Sequence, residues 1–235
     1  MNAFDTSILD FLNRLSQRWH WFDKGVVLLS GTDLLKGGLF MAALWWLWFR
    51  TDQDDTEDRR SYLIAAIPVT IVAVVATRVV AHVLPFRDRP MFTSGYHFVL
   101  PYGAEGIVLD SWSSFPSDNA VLFFALATSL WFVSRRIGVL AALYATFAVC
   151  LPRVYLGEHW PTDILAGAAI GVGLGWLGAR ERVRTFISRP ALLVLDREPG
   201  WFYAAFFLLT YQTATLFENT RDVAHFALHT LKDLL

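Results

Sequence analysis

Three polar clusters break an otherwise apolar chain, and each holds residue types that can bind or move a phosphate. The first runs from His82 through Arg87 and Asp88 to Arg89-Pro90. The second is Ser113-Ser-Phe-Pro116-Ser117-Asp118-Asn119. The third runs from Arg153 through Glu158 and His159 to Asp163. Arginine presents a planar fork of N–H donors that matches two oxygens of a phosphate at once. Ser117 at a helix start adds a hydroxyl and unpaired backbone N–H groups, which suit an anion. His159 and Asp163 are four residues apart, with Pro161 between them. They share one face if the segment is helical, or meet across a turn that enters a helix. In either arrangement Asp163 is expected to hold one imidazole nitrogen and leave the other for attack or proton transfer. Taken singly these features are ordinary. Arginines at membrane borders snorkel to headgroups, and a Ser-Asp pair commonly caps a helix. Ionisable groups gathered from three segments at one border point to a site.

The elements that must gather them are membrane helices. The chain has 235 residues, of which 55% are hydrophobic and 17% charged. Its mean hydropathy of +0.41 is too apolar for an ordinary soluble domain. A helix needs about 20 apolar residues to cross the hydrocarbon core. Segments 26–49, 62–84, 116–133, 137–156 and 164–179 meet that need, the first despite Asp33 and Lys36, and 201–217 is a shorter sixth. We therefore expect an all-α polytopic bundle of about six spans, forming one domain over residues 1–235. Pro116 and Pro161 suit the first turn of a helix. Gly167, Gly171, Gly173 and Gly175 permit close helix contact.

Basic residues set the orientation. Arg50, Arg59 and Arg60 flank one loop, Arg135 and Arg136 the next but one, and Arg180, Arg182, Arg184, Arg189 and Arg197 fill a third. With every span counted, these loops share one side, and the positive-inside rule makes it cytoplasmic. The opposite face then holds residues 85–115, the segment around 157–162, all three polar clusters and both termini. The ends read as amphipathic helices. Phe4, Ile8, Leu9, Phe11, Leu12, Leu15 and Trp19 form an apolar face that lies on the membrane or packs on the protein. Val223, Phe226, Leu231 and Leu234 repeat the pattern at the other end. Cys150 lies in an apolar run and reads as packing. A net charge of −1 gives nucleic acid no purchase, and the scattered His and Asp form no metal-ligand set.

The clusters resemble the motifs of the type 2 phosphatidic acid phosphatase superfamily: Lys-x6-Arg-Pro, Pro-Ser-Gly-His and Ser-Arg-x5-His-x3-Asp. Arg89-Pro90 matches the end of the first and Pro116-Ser117 the start of the second. Arg153, His159 and Asp163 match the third with its full spacing. The resemblance covers about residues 62–179. It implies a lipid phosphate or pyrophosphate substrate, no cofactor, and a phosphohistidine formed on His159 and oriented by Asp163. Arg89, Ser117 and Arg153 would hold phosphate oxygens, with His82 and Asp118 beside them. It also implies an integral protein of a bacterial inner membrane, with the site facing the periplasm or exterior and undecaprenyl pyrophosphate as the preferred lipid.

Four positions depart from the pattern. His82 stands for Lys, Asp118 for Gly, Asn119 for the second His, and Pro152 for Ser. Asn119 matters most, because that histidine would protonate the leaving oxygen, and general acid catalysis is typically worth about 10²–10⁴-fold. Three readings stay open. A pyrophosphate leaving group needs less help; Asp118, His82 or His97 supplies the proton; or the chain binds or transports its lipid without turnover. Transfer from His159 to another lipid or a sugar is the alternative to hydrolysis.

Overall fold

The computed structural model describes residues 2–51, 56–105 and 113–216, and every regular element among them is a helix. The order is α1 (Ala3–Asn13), α2 (His20–Gly31), α3 (Leu39–Phe49), α4 (Thr56–Val83), α5 (Asp118–Val133), α6 (Arg135–Tyr144), α7 (Leu151–Tyr155), α8 (Pro161–Gly178), α9 (Glu181–Arg197) and α10 (Pro199–Ala214). Wide π turns join α2 to α3 over Leu34–Gly38 and α6 to α7 over Ala145–Cys150. The expected amphipathic segment after residue 221 lies outside the described residues.

Two helices, Thr56–Val83 and Arg135–Tyr155, are long and apolar enough to cross a bilayer unbroken. Two bent pairs bring the number to four: α2 with Leu34–Phe49, at 69°, and α8 with α9, at 70°. The bundle is all-helical as expected, and its described residues give two to four spans by length and composition where about six were expected. α5 starts at Asp118 and has 16 residues, because Pro116 stays outside the helix and Ser117 caps it. α10 likewise has 16 residues. The segment expected to be a basic loop after residue 179 is the helix α9, with arginines along its length and Phe186 82% exposed. That combination of basic and apolar residues is the pattern of a helix lying at a membrane border.

α1 packs on the protein, with Asp5 and Leu9 both fully buried. The bundle core lies between α3, α4, α5 and α10, where Trp48 stacks near Phe202 and Phe206 at 5.5 and 5.2 Å. The π turn of the first pair presses Gly37 against α10; a Cβ there would lie 2.1 Å from the Ala214 carbonyl oxygen.

α5 and α8 pack backbone to backbone, and this pairing sets the site. A Cβ on Gly167 would lie 2.6 Å from the Ser117 carbonyl oxygen, and one on Gly171 2.4 Å from that of Val121. Gly175 faces Ala125 O at 2.9 Å in the same sense, while Gly173 faces nothing within 4 Å. Three of the four expected glycines therefore make the contact, at the spacing that keeps one helix face. We expect Gly171→Ala to force the helices apart at about 1–3 kcal/mol, and Gly173→Ala to stay within about 0.5 kcal/mol. Thermal unfolding in detergent checks both.

The chain direction places residues 85–92, 113–117 and 156–161 at one end of the bundle. The basic junctions 56–60, 133–136 and 178–184 lie at the other, where Arg184 bonds Asp58 and donates to Ser61 Oγ at 3.0 Å. This agrees with the single basic side expected from the sequence.

Candidate functional site

His159 lies in the turn between α7 and α8. Gly157 makes that turn at a φ of +72°, with Phe98 and Met91 packed so near that any side chain would strike them. Pro161 opens α8, and Asp163 Oδ2 accepts the Trp160 backbone N–H at 2.8 Å, closing the first turn. His159 thus precedes the helix that carries Asp163, which decides between the two arrangements left open above in favour of the turn.

The imidazole has a fixed tautomer. Nδ1 lies 2.9 Å from the Ser114 carbonyl oxygen. A carbonyl only accepts, so Nδ1 carries a proton, and in the neutral ring Nε2 is the nitrogen left with a lone pair. Asp163 stands further off, with Oδ2 3.7 Å from Nδ1. The direct hydrogen bond expected from Asp163 is therefore made by Ser114, and the buried carboxylate acts on the ring through charge.

Asp163 is held in turn. Its Oδ1 accepts from Arg87 Nη1 at 2.5 Å, and Arg87 Nη2 reaches Asp5 Oδ2 at 2.6 Å. Asp5 also accepts from the Thr162 N–H at 2.8 Å and the Thr162 hydroxyl at 2.7 Å. Arg87 lies over the Trp160 ring at 5.5 Å. One arginine thus neutralises two carboxylates that are both fully buried. No motif assigns a role to Arg87 beyond its place in the first polar cluster, and none includes Asp5. A signal existed: Asp5, Leu9 and Leu12 lie at helical spacing, so a carboxylate sits on a buried stripe.

The other expected residues divide. Arg89 Nη1 donates to the Glu158 carbonyl at 3.0 Å. Arg153 pairs with the Glu158 carboxylate, whose second oxygen accepts from Ser30 Oγ at 3.3 Å. Both arginines therefore meet at Glu158, next to His159, and an acidic group already occupies the Arg153 fork. Ser117 is fully buried; its N–H donates to the Asp163 carbonyl at 3.2 Å, and its hydroxyl accepts from the Ala120 N–H at 3.5 Å. Asn119 is 5% exposed, and its Oδ1 is buried without a hydrogen-bond partner. Asp118 pairs with Arg78 of α4, which turns it to a structural ion pair rather than to a phosphate. His82 is exposed near the end of α4. The strands of loop that carry these groups are tied together: the Ser114 N–H donates to Arg87 O at 2.9 Å and Trp160 Nε1 to Asp88 O at 2.9 Å.

An imidazole held through Nδ1 by Ser114, with two arginines meeting at the adjacent Glu158 and a buried carboxylate near the ring, is an arrangement that can attack an anionic centre. In a helical membrane protein that combination defines the class, and comparison with known proteins agrees. The model of the PAP2 superfamily matches residues 83–185. Over that segment the chain is similar to the PAP2 superfamily.

The chain is 24% identical to undecaprenyl-diphosphatase BcrC of Bacillus subtilis over 186 residues, covering 77% of this chain and 86% of that one. It is 27% identical to the putative undecaprenyl-diphosphatase YbjG of Escherichia coli, covering 77% and 83%. It is 26% identical to the lipid A 1-diphosphate synthase of Escherichia coli, covering 68% of each. The crystal structure of LpxE from Aquifex aeolicus shares the fold, with a TM-score of 0.50 and 24% identity over 75% of this chain and 95% of that one.

Proposed function

We propose that this protein is a membrane phosphatase that releases phosphate from a lipid phosphate or diphosphate through a phosphohistidine on His159. The observation that carries the reading is the Nδ1–H bond to Ser114, which leaves Nε2 as the nucleophile. Nε2 attacks phosphorus, and the bond from phosphorus to the leaving oxygen breaks. The ring becomes cationic, and the nearby Asp163 carboxylate offsets that charge. Arg89 and Arg153 hold the phosphate oxygens, the incoming phosphate taking the place of the Glu158 carboxylate on Arg153. Water then attacks phosphorus, the P–N bond breaks, and the proton of the water leaves on the released phosphate. The two arginines supply the positive charge, so turnover is expected to persist in chelator.

Undecaprenyl diphosphate is our preferred substrate, supported by the names of two relatives. The basic junctions at the far end support a site on the extracytoplasmic face. Transfer to an acceptor instead of water is a second reading, favoured by the relative named lipid A 1-diphosphate synthase; a phosphorylated acceptor would distinguish it.

The test is phosphate release from undecaprenyl diphosphate by the full-length protein in detergent with chelator. We expect release by this chain, and a rate on lipid monophosphates raised about 10²-fold or more in Asn119→His, which restores an acid. No release by either form from any lipid phosphate or diphosphate would favour a binding or transport role and overturn the phosphatase reading.

A further inference from the structure

Lys36 is 6% exposed inside a span, a costly position for a charge and one that usually marks function. Its Nζ pairs with Asp33 Oδ1 at 3.0 Å across the π turn of the bent first span. Such turns recur at functional positions. The bend is not remote from the site, because Ser30, one turn earlier, donates to Glu158 beside His159.

The depth of Lys36 follows from packing. The Phe40 and Phe123 rings meet with centroids 4.8 Å apart. Both helical segments run away from the site, α3 from the bend and α5 from Ser117. Asn119 lies one α-helical turn before Phe123, about 6 Å back toward the site, and Lys36 lies four residues before Phe40, within the π turn. Both are thus set back toward the site from the same ring contact. Asn119 brings a buried carboxamide oxygen with no hydrogen-bond partner, and Lys36 brings a buried ammonium.

We propose that Lys36 is a catalytic residue for a diphosphate: its ammonium seats the phosphate that departs with the lipid, beside the Asn119 carboxamide. This rests on the phosphatase reading and narrows it to lipid diphosphates. Breaking the P–O–P bond leaves charge on a phosphate oxygen, which a fixed cation stabilises with no proton transferred. Breaking P–O–C leaves an alkoxide, which needs a proton that Asn119 cannot give. Asp33, 34% exposed at the side chain, holds the ammonium until the diphosphate takes its place. Lys36 thus makes Asn119 compatible with turnover on one substrate class and not the other.

The test compares farnesyl diphosphate with farnesyl monophosphate as probes, in the full-length protein and in its Asn119→His form, which accepts both. Lys36→Met should lower diphosphate turnover about 10²-fold. In the Asn119→His form it should cut the ratio of diphosphate to monophosphate turnover roughly 30-fold. Lys36→Arg, which keeps the charge, should hold that ratio within about fivefold. An unchanged ratio in Lys36→Met, whether both rates fall together or neither falls, overturns the proposal, as does turnover that appears only with Asn119→His. Failure of both forms on both probes overturns the phosphatase reading itself and the Lys36 assignment with it.

Discussion

Replacing His159 with alanine should reduce phosphate release by on the order of 10⁴-fold or more, the loss typical when the nucleophile of a covalent mechanism is removed. The effect should fall on kcat, since the arginines that bind the phosphate remain. Labelled lipid diphosphate, quenched during turnover in base, should leave phosphate on the parent chain and none on His159→Ala. His20→Ala is the matched control, because His20 is exposed, and it should keep nearly full activity. If His159→Ala retained more than a tenth of the activity, the phosphohistidine would have to be abandoned.

Arg87→Ala should be the most destabilising change at this end of the bundle. It leaves Asp5 and Asp163 buried with no cation between them, and removing one partner of a buried pair costs about 3–5 kcal/mol. Arg87 keeps 27% side-chain exposure, so we expect the lower end, about 3 kcal/mol. Asp5→Ala alone removes a charge together with its N–H and hydroxyl donors' acceptor, and should cost less. Adding Asp5→Ala to Arg87→Ala should recover part of the loss, because one uncompensated carboxylate goes with it. Unfolding of the four forms as a double-mutant cycle measures the coupling. Purely additive losses would mean that Arg87 does not bridge the two acids.

The sequence carried the site in its third motif because a turn and the helix after it are local: Arg153, His159 and Asp163 keep their spacing whatever the rest of the bundle does. It carried the glycine face for the same reason, since 167, 171 and 175 repeat at the helical period. What it could not carry was which partner each group takes across the fold. The Ser114 carbonyl has no identity that a side-chain pattern can reveal, yet it fixes the His159 tautomer. Arg87 and Arg89 are two residues apart and alike in type; only the packing of α1 sends one to the acids and leaves the other beside Glu158. Hydropathy located the apolar segments and the break after residue 179 but not the bend at Thr32, because both halves of that bent pair pass as continuous in a window of residues. The helix α9 was hidden by its arginines, which read equally as a loop by charge and as an interfacial helix by period.

The bond from the Thr162 N–H to Asp5 spans 157 positions of the chain, and this gives the protein a clock. At roughly 5–20 residues per second of synthesis, about 8–30 s separate the emergence of its two ends. Arg87 is made about halfway through that interval, so until Thr162 emerges the Asp5 carboxylate has only the arginine to meet. The first helix therefore completes its bonds only after the helices up to Tyr155 have been made. A nascent chain halted before residue 163 holds α1 to α7 and the Ser114 carbonyl that holds His159, but lacks the carboxylate behind the ring, so the proposed chemistry is complete only when the beginning of the chain is locked to its middle.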